Sequence, residues 1–179
     1  MQPDNYSTEA IRQFRKLKDL AERAIAQVRD EDLFARLDEE SNGIALIMKH
    51  MAGNMRSRWT DFLTSDGEKP DRNRDMEFVI EEGDTRDRIL ERWSAGWRCL
   101  FEALALLTAE DLGRTVLIRD EPHSVMEAIN RQLTHYAYHV GQIVFLAKHF
   151  AANNWQSLSI PRRKSEEFNA AMRRKREKA

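Results

Sequence analysis

The stretch from Ser124 to Phe150 is the feature that most constrains the fold of this chain. Its apolar side chains recur every three or four residues, which is the period of one face of an α-helix. The stripe consists of Met126, Ile129, Leu133, Tyr136, Val140, Ile143, Val144, Ala147 and Phe150. Ser124 and Glu127 match a capping box, which predicts where the helix begins. Because a long helix with one apolar stripe needs other elements to cover that stripe, this pattern favours an all-α fold.

Three other segments show the same helical period and complete a set of four long helices. The first is predicted from about Ser7 to Arg29, and the second from about Asn42 to Leu63 with an N-cap at Ser41 or Asn42. The third is predicted from an N-cap at Asp84 to Leu107. The chain contains only 7 Gly and 4 Pro, so few residues interrupt these helices. We therefore expect an all-α four-helix bundle.

The connections between the predicted helices are long enough to allow several topologies. Residues 64–83 form a polar loop whose length is typical of functional or disordered segments, and it is long enough to arch over one end of the core. Residues 108–123 predict an extended connection, with a short hairpin, before the last core helix. An extra polar helix is predicted from about Ser165 to Lys178. The chain is thus expected to comprise a bundle over residues 1–160 and a basic C-terminal tail helix over residues 161–179.

Composition and charge argue against several classes of protein. The net charge is -1, but residues 162–179 carry eight Lys and Arg against three Asp and Glu. A solvated terminal helix accounts for such a tail more often than nucleic-acid binding does, so nucleic acid is not an expected partner. No apolar run approaches the roughly 18 residues of a membrane span, and the first residues lack the apolar core of a signal peptide. With Cys99 as the single cysteine, we expect a cytoplasmic protein in a reducing context.

Three histidines are candidate metal ligands. His135 and His139 lie four residues apart on the last core helix, so their side chains share one face and can bind one ion. His50 lies between Ile47 and Met51 on the inner edge of the second helix. Three neutral imidazoles suit zinc, nickel, copper or iron. Three protein ligands also leave a coordination position open, which is typical of catalytic rather than structural zinc sites.

A purely structural interpretation of the same residues stays open at this point. A histidine on the edge of an apolar stripe is more often a hydrogen-bonded interior residue than a ligand, and pairs four residues apart arise by chance. His123 and His149 cannot join the cluster through the last core helix and are predicted at the surface. Cys99 lies among large apolar side chains, so we predict a buried, unreactive thiol rather than a nucleophile.

Two blocks of sequence resemble a known superfamily. The first is His50-Met51-Ala52-Gly53-Asn54, and the second is the HYAYHVGQI segment that begins at His135. Over roughly residues 7–150 the chain resembles the DinB-like superfamily of metal-binding four-helix bundles. The resemblance implies a divalent ion, zinc or nickel, held by His50, His135 and His139. The stretches 58–70, 158–161 and 165–168 resemble a bacterial branch of this superfamily whose function is uncharacterised.

The resemblance also implies a range of activities. Characterised members include metal-dependent transferases that join low-molecular-weight thiols to electrophiles, a thiol-dependent isomerase, and proteins described as hydrolases. The leading expectation is therefore a metal-dependent thiol transferase that acts on a small-molecule substrate in detoxification or stress response. A metal-dependent hydrolase, and a non-catalytic binding or dimerisation module with a structural metal, are the alternatives.

Two further expectations concern the surroundings of the site and the assembly of the chain. Asn54 lies one turn after His50, and Gln142 lies close to His139, so both are candidates to orient ligands or substrate. They could equally be ordinary polar residues at the ends of an apolar stripe. Phe168 and Met172 interrupt the charged C-terminal helix, and they favour a homodimer formed through this helix and an exposed face of the bundle.

Overall fold

A computed structural model describes residues 3–177 of the chain, with side chains from residue 6 onward. The described part is mostly helical and contains one small antiparallel sheet, which confirms the predicted all-α character and the predicted hairpin. The helices are α1 (Pro3–Ile25), α2 (Asp30–Phe34), α3 (Ile44–Trp59), α4 (Arg86–Ala105), α5 (Val125–Ala151) and α6 (Ser165–Glu177). The strands are β1 (Thr115–Ile118) and β2 (Glu121–Ser124), and short 3₁₀ turns occupy Asp75–Phe78, Glu110–Gly113 and Ala152–Asn154.

The four long helices α1, α3, α4 and α5 pack around one apolar core. Helix α3 packs most extensively against α4, and α1 against α5, while α3 and α5 also touch directly. Each long helix contributes one ring to an aromatic cluster of Phe14, Trp59, Trp97 and Tyr136. The ring of Phe14 lies 5.8 to 6.5 Å from the other three, in the tilted and edge-on arrangements that aromatic pairs prefer. This cluster fixes how α3 and α5 face each other.

Helix α3 is shorter than predicted at both ends. Its N-cap is Gly43, and no side chain caps it, so the predicted cap at Ser41 or Asn42 is wrong. A side chain at Gly43 would place its Cβ 2.5 Å from the carbonyl oxygen of Ala35, so the close approach of the preceding segment requires glycine. The helix ends at Trp59 rather than near Leu63, because Asp61 adopts a left-handed backbone conformation with φ of 48°.

The predicted ends of two other helices also differ from the structure. Helix α1 ends at Ile25 rather than Arg29. Helix α4 is capped by Thr85, whose hydroxyl accepts a hydrogen bond from the Arg88 amide, so the predicted cap at Asp84 is wrong. The Asp84 carboxylate instead binds the buried ammonium of Lys49 at 2.5 Å. A buried ammonium such as that of Lys49 needs a counter-ion, so the Asp84 carboxylate pairs with Lys49 and does not cap the helix.

Helix α5 begins as predicted, since Ser124 and Glu127 form the complete capping box. Within the predicted stripe, Met126 is exposed, whereas the neighbouring Gln132 is buried. His149 is exposed, as expected, but His123 is partly buried beside Glu121 rather than fully at the surface. The helix is therefore buried along most of its length but presents polar atoms to the interior near its middle.

The remaining segments lie at the edges of the core. The 64–83 loop is ordered along α3 and contains the 3₁₀ turn Asp75–Phe78. Helix α6 has no buried residue, and Lys178, the predicted end of this helix, lies outside the described residues.

The outer ends of the two predicted domains, at residues 1–2 and 178–179, also lie outside the described residues, and the predicted boundary at residue 160 stays a prediction. None of the helices within residues 3–177 is long and apolar enough to cross a membrane.

Candidate metal centre

Helices α3 and α5 bring His50, His135 and His139 together. The Nε2 atom of His135 lies 3.3 Å from Nε2 of His50 and 3.0 Å from Nε2 of His139. One ring nitrogen from each of the three residues lies within 4.8 Å of the others, an arrangement that could hold a metal ion. His50 is buried and the other two rings are partly buried. The three candidate histidines thus lie together, although His50 and His135 are 85 residues apart in the chain.

The register between the two helices is fixed one turn away from the histidines. The hydroxyl of Tyr136, the residue after His135, donates a hydrogen bond to Asn54 Oδ1 at 3.0 Å. The same hydroxyl accepts a hydrogen bond from the Trp59 indole at 3.1 Å. All three side chains are buried, so these bonds form in a medium of low dielectric constant where leaving them unmade costs most. This network aligns α3 with α5 and sets His50 opposite His135.

The outer nitrogens of two rings are held by oxygen atoms. His50 Nδ1 lies 2.9 Å from a carboxylate oxygen of Glu77, and His139 Nδ1 lies 2.8 Å from the amide oxygen of Gln142. Because both oxygens accept hydrogen bonds, each Nδ1 carries the proton and each Nε2 keeps its lone pair. The lone pairs of His50 and His139 therefore face the third ring, as in the carboxylate–histidine–metal arrangement of known metal sites.

Glu77 contacts the histidine cluster, although the sequence did not single it out. Arg72 holds its carboxylate by two hydrogen bonds, at 2.8 and 2.9 Å. Burial raises the pKa of Glu77, but the hydrogen bonds from His50 and Arg72 outweigh this effect, and the net pKa lies below its usual value. The next residue, Phe78, stacks on the His50 ring with centroids 4.9 Å apart. The apolar residues Met76, Phe78, Val79 and Ile80 around Glu77 were the sequence signal that this part of the polar loop lies against the core.

Burial and proximity keep the helix α5 pair uncharged. Burial, the neighbouring His139 and His50 rings, and the positive charges of Arg58 and Arg72 together lower the pKa of His135 to about 3. Burial also lowers the pKa of His139, with a smaller opposing effect from its bond to Gln142. Both rings are therefore neutral at physiological pH, which is the protonation state that binds a metal ion.

The donor set fits a divalent transition metal. A tetrahedral ion with metal–nitrogen distances of about 2.0–2.1 Å separates its ligand nitrogens by about 3.3 Å, and an octahedral ion separates neighbouring ones by about 2.9 Å. The spacings of His135 Nε2 to the other two rings, 3.0 and 3.3 Å, lie in this range, and all three rings place a nitrogen within 4.8 Å of the others. Imidazole donors suit zinc, nickel, copper or iron rather than magnesium or calcium, which prefer oxygen ligands. The arrangement therefore fits a divalent transition ion and leaves open which one.

The other predicted site residues have distinct positions. Gln142 contacts His139 as expected, whereas the amide oxygen of Asn54 accepts from Tyr136 and does not orient a histidine. Asn54 instead lines a cavity of about 280 Å³, together with His50 and His135. One side of the histidine cluster therefore opens onto a space that a small molecule could enter. Whether Asn54 contacts a substrate there stays a prediction.

Cys99 lies in a different part of the molecule. Its thiol is partly buried rather than fully buried and lies 3.6 Å from the Thr60 hydroxyl. It lines a separate cavity of about 370 Å³, along with Lys49 and one side of Glu77. Because Cys99 does not line the cavity that opens onto His50 and His135, the rejection of this thiol as the nucleophile of the site is consistent with the geometry.

Comparisons with known proteins give a family but no activity. No curated protein matches the chain at a significant level. A family model described as "Protein of unknown function (DUF1572)" matches residues 2–164, which is most of the chain and includes all three histidines. The chain therefore belongs to the DUF1572 family.

Proposed function

We propose that this chain is a metal-dependent enzyme with a DinB-like four-helix bundle, in which His50, His135 and His139 bind zinc or nickel. The proposed activity is the transfer of a low-molecular-weight thiol to an electrophile, as in detoxification or stress response. The resemblance of both histidine blocks to the DinB-like superfamily supports the choice of this reaction class.

One observation carries the proposal. Three imidazole nitrogens converge on one point, and one side of that point opens onto the cavity lined by His50 and His135. A purely structural ion would need no such opening, because structural sites are usually closed by a fourth protein ligand. A divalent ion held here would supply Lewis acidity, which lowers the pKa of a coordinated thiol or water.

The residues around the cluster have defined tasks under this proposal. Glu77 and Gln142 fix the ring orientations of His50 and His139, and Arg72 in turn fixes Glu77. Phe78 covers one face of the His50 ring and excludes water from that side. These contacts preorganise the donor atoms, so that binding and reaction do not require the site to rearrange.

The test is metal analysis followed by an activity screen on the purified full-length chain. We expect about one zinc or nickel ion per chain, and loss of that ion after treatment with a strong chelator. The reloaded protein is then incubated with a series of thiols and electrophiles, and thiol consumption is measured with and without metal. The matched control is His149→Ala, which removes an exposed histidine of the same helix that lies outside the cluster.

Each outcome separates the candidate functions. Thiol consumption that requires both metal and electrophile supports the transferase. Metal-dependent turnover that needs no thiol assigns a hydrolase instead. A chelator that lowers the melting temperature, with no turnover or small-molecule binding in any combination, assigns a non-catalytic module with a structural metal. A chain that takes up no metal rejects all three forms of the proposal.

A further inference from the structure

The cavity beside the histidine cluster has an unusual lining. Of its nine lining residues, five are arginines. They are Arg58, Arg72, Arg74, Arg119 and Arg131. They come from α3, the 64–83 loop, the turn between β1 and β2, and α5, so the tertiary fold rather than one local motif brings them together. No Asp or Glu of the described chain lines the same cavity.

The carboxylates near these arginines do not neutralise them. Glu68 contacts Arg58, Arg72 and Arg119 at once, at 3.0 to 3.2 Å. Glu77 pairs with Arg72, and Glu121 with Arg131. The carboxylate of Asp66 also lies beside this group, since it accepts a hydrogen bond from the Arg119 amide at 2.9 Å. Five guanidinium groups against four carboxylates leave an excess of one positive charge. This excess is concentrated in a partly enclosed space, where an anion is attracted more strongly than at an open surface.

Two buried polar atoms of the lining lack hydrogen-bond partners. Arg58 is 6% exposed and Gln132 is 3% exposed. Among the described residues, nothing hydrogen-bonds the Nε–H of Arg58 or the amide oxygen of Gln132. Buried polar atoms are nearly always paired in native proteins, so each such atom calls for a missing partner. Both residues also line a second cavity of only about 10 Å³. A ligand oxygen that reached Arg58 from the arginine-lined cavity would satisfy its Nε–H, and a hydroxyl or amine of the same ligand would satisfy Gln132.

Arg74 shows that part of this charge is available for a ligand. Its guanidinium lies 5.0 Å from the centre of the Phe78 ring, and that ring stacks on His50. No ion pair connects Arg74 to a carboxylate within the described chain. A guanidinium fixed on an aromatic face keeps its N–H groups available for an oxyanion.

We propose that this cavity binds the carboxylate or phosphate group of a small anionic substrate and holds the substrate against His50 and His135. The proposal rests on the function proposed above and specifies the substrate class of the same site. The planar guanidinium fork matches the oxygens of both groups, so the shared chemistry is an oxyanion. The volume of about 280 Å³ lies near the lower end of the range for small-molecule pockets, so the proposed ligand is a small anion.

The test is isothermal titration of the metal-loaded chain with inorganic phosphate and, separately, with succinate. We expect saturable binding of at least one of them with a stoichiometry of one per chain. Binding of phosphate alone assigns a phosphorylated substrate, and binding of succinate alone assigns a carboxylate. If neither anion binds saturably, the proposal is overturned.

Two variants locate the binding. Arg131→Gln removes a guanidinium whose side chain is 47% exposed, so the fold should survive, which the melting temperature checks. We expect it to raise Kd by about tenfold, the effect of losing one charge-assisted hydrogen bond. Arg74→Gln should weaken binding in the same way. The matched control is Arg114→Gln, because Arg114 is 51% exposed and also pairs with one carboxylate but does not line the cavity. Equal losses in the control and in Arg131→Gln would reject the cavity as the binding site.

Failure of this inference and failure of the proposed function can be told apart. Metal content measured without added anion tests the histidine cluster alone. If the chain binds one metal ion but no anion, the proposed metal centre is supported and the proposed anion site is rejected. If the chain binds phosphate or succinate in the arginine-lined cavity but takes up no metal, the proposed anion site is supported and the proposed metalloenzyme is rejected.

Discussion

At the scale of single residues, the proposed metal centre depends most on His135. Its Nε2 lies between those of His50 and His139, so it contacts both other donors. The change His135→Ala leaves His50 on α3 and His139 on α5. An ion could then no longer be bound by two histidines of the same helix. We expect metal affinity to fall by more than about 100-fold, because even the loss of a group that only supports a ligand costs about 10–100-fold. Elemental analysis that still finds one ion per chain would show that the cluster is not the site.

Gly53 offers a test of the Glu77 contact that does not touch a ligand. A Cβ at this position would lie 2.2 Å from a carboxylate oxygen of Glu77, so Gly53→Ala must push Glu77 away from His50 and Arg72. Alanine also favours the helix by about 0.8–1 kcal/mol, which offsets part of the lost contacts. We therefore expect a lower melting temperature, because the buried Arg72 loses part of its pairing with Glu77. We also expect a 10–100-fold loss of metal affinity, roughly the usual effect of losing such a supporting group.

The control for this variant is Gly141→Ala on helix α5. Gly141 lies two residues from His139, but an added Cβ would meet no atom within 4 Å. Alanine should therefore stabilise α5 without changing metal binding. A normal metal affinity in Gly53→Ala would show that Glu77 does not support the site.

Residues that lie on periodic helices could be predicted from the sequence, whereas residues that reach the site from loops or from separate segments could not. His135 and His139 share a helical face, and the stripe around His50 predicts that it points inward, so spacing made the three rings candidates. The resemblance of both blocks to a metal-binding superfamily then joined them into one ligand set. Glu77 reaches His50 from a loop that has no periodicity, across 27 residues. The arginines of the cavity come from four separate segments, and no local pattern predicts that they meet.

At the scale of elements, the attachment of the loop before α4 to α3 depends on a buried ion pair. Lys49 on α3 binds Asp84, and both side chains are at most 5% exposed. The change Asp84→Asn leaves the buried ammonium with Glu81 and the Val79 carbonyl as partners, and it also breaks the ion pair of Asp84 with the exposed Arg92. We expect a loss of about 2–4 kcal/mol in the free energy of unfolding, near the usual range for breaking a buried pair. Urea denaturation at pH 7 measures it, with the exposed Asp87→Asn as a control that should change stability by less than about 1 kcal/mol.

The contribution of this pair should also depend on pH. Burial raises the pKa of Asp84, but hydrogen bonds from the Glu81 amide and from Lys49 outweigh it, and the net pKa lies below the usual value. A carboxyl whose pKa is lower in the folded state stabilises the fold above its usual pKa, and this stabilisation is lost as the pH falls through the folded pKa. The difference between wild type and Asp84→Asn should therefore be full above about pH 4 and shrink below it. A difference that stays constant down to pH 3 would contradict the assignment.

The same ion pair shows why some helix ends could be predicted and others could not. The capping box of α5 is complete within four residues, so the sequence is sufficient to place the start of the helix. Asp84 also resembles an N-cap, but its carboxylate pairs with Lys49, which lies 35 residues earlier in the chain. Thr85 therefore caps α4 instead. The end of α3 depends on the left-handed conformation of Asp61, which hydrophobic periodicity does not report.

At the scale of the whole molecule, the periodicity was sufficient to predict four long helices and a hairpin, but not what α6 does. Phe168 and Met172 are 45% and 51% exposed on this helix, and the rest of its described surface is mostly charged. We expect them to pack against a second copy of the chain, because burying each side chain contributes about 1.5–3 kcal/mol. Light scattering should then give twice the chain mass of 21.0 kDa. The double change Phe168→Ser and Met172→Ser should reduce the measured mass to that of one chain. Each chain should still fold and unfold cooperatively on heating, since neither residue is part of the core. A wild-type mass of 21 kDa across the micromolar range would exclude the dimer.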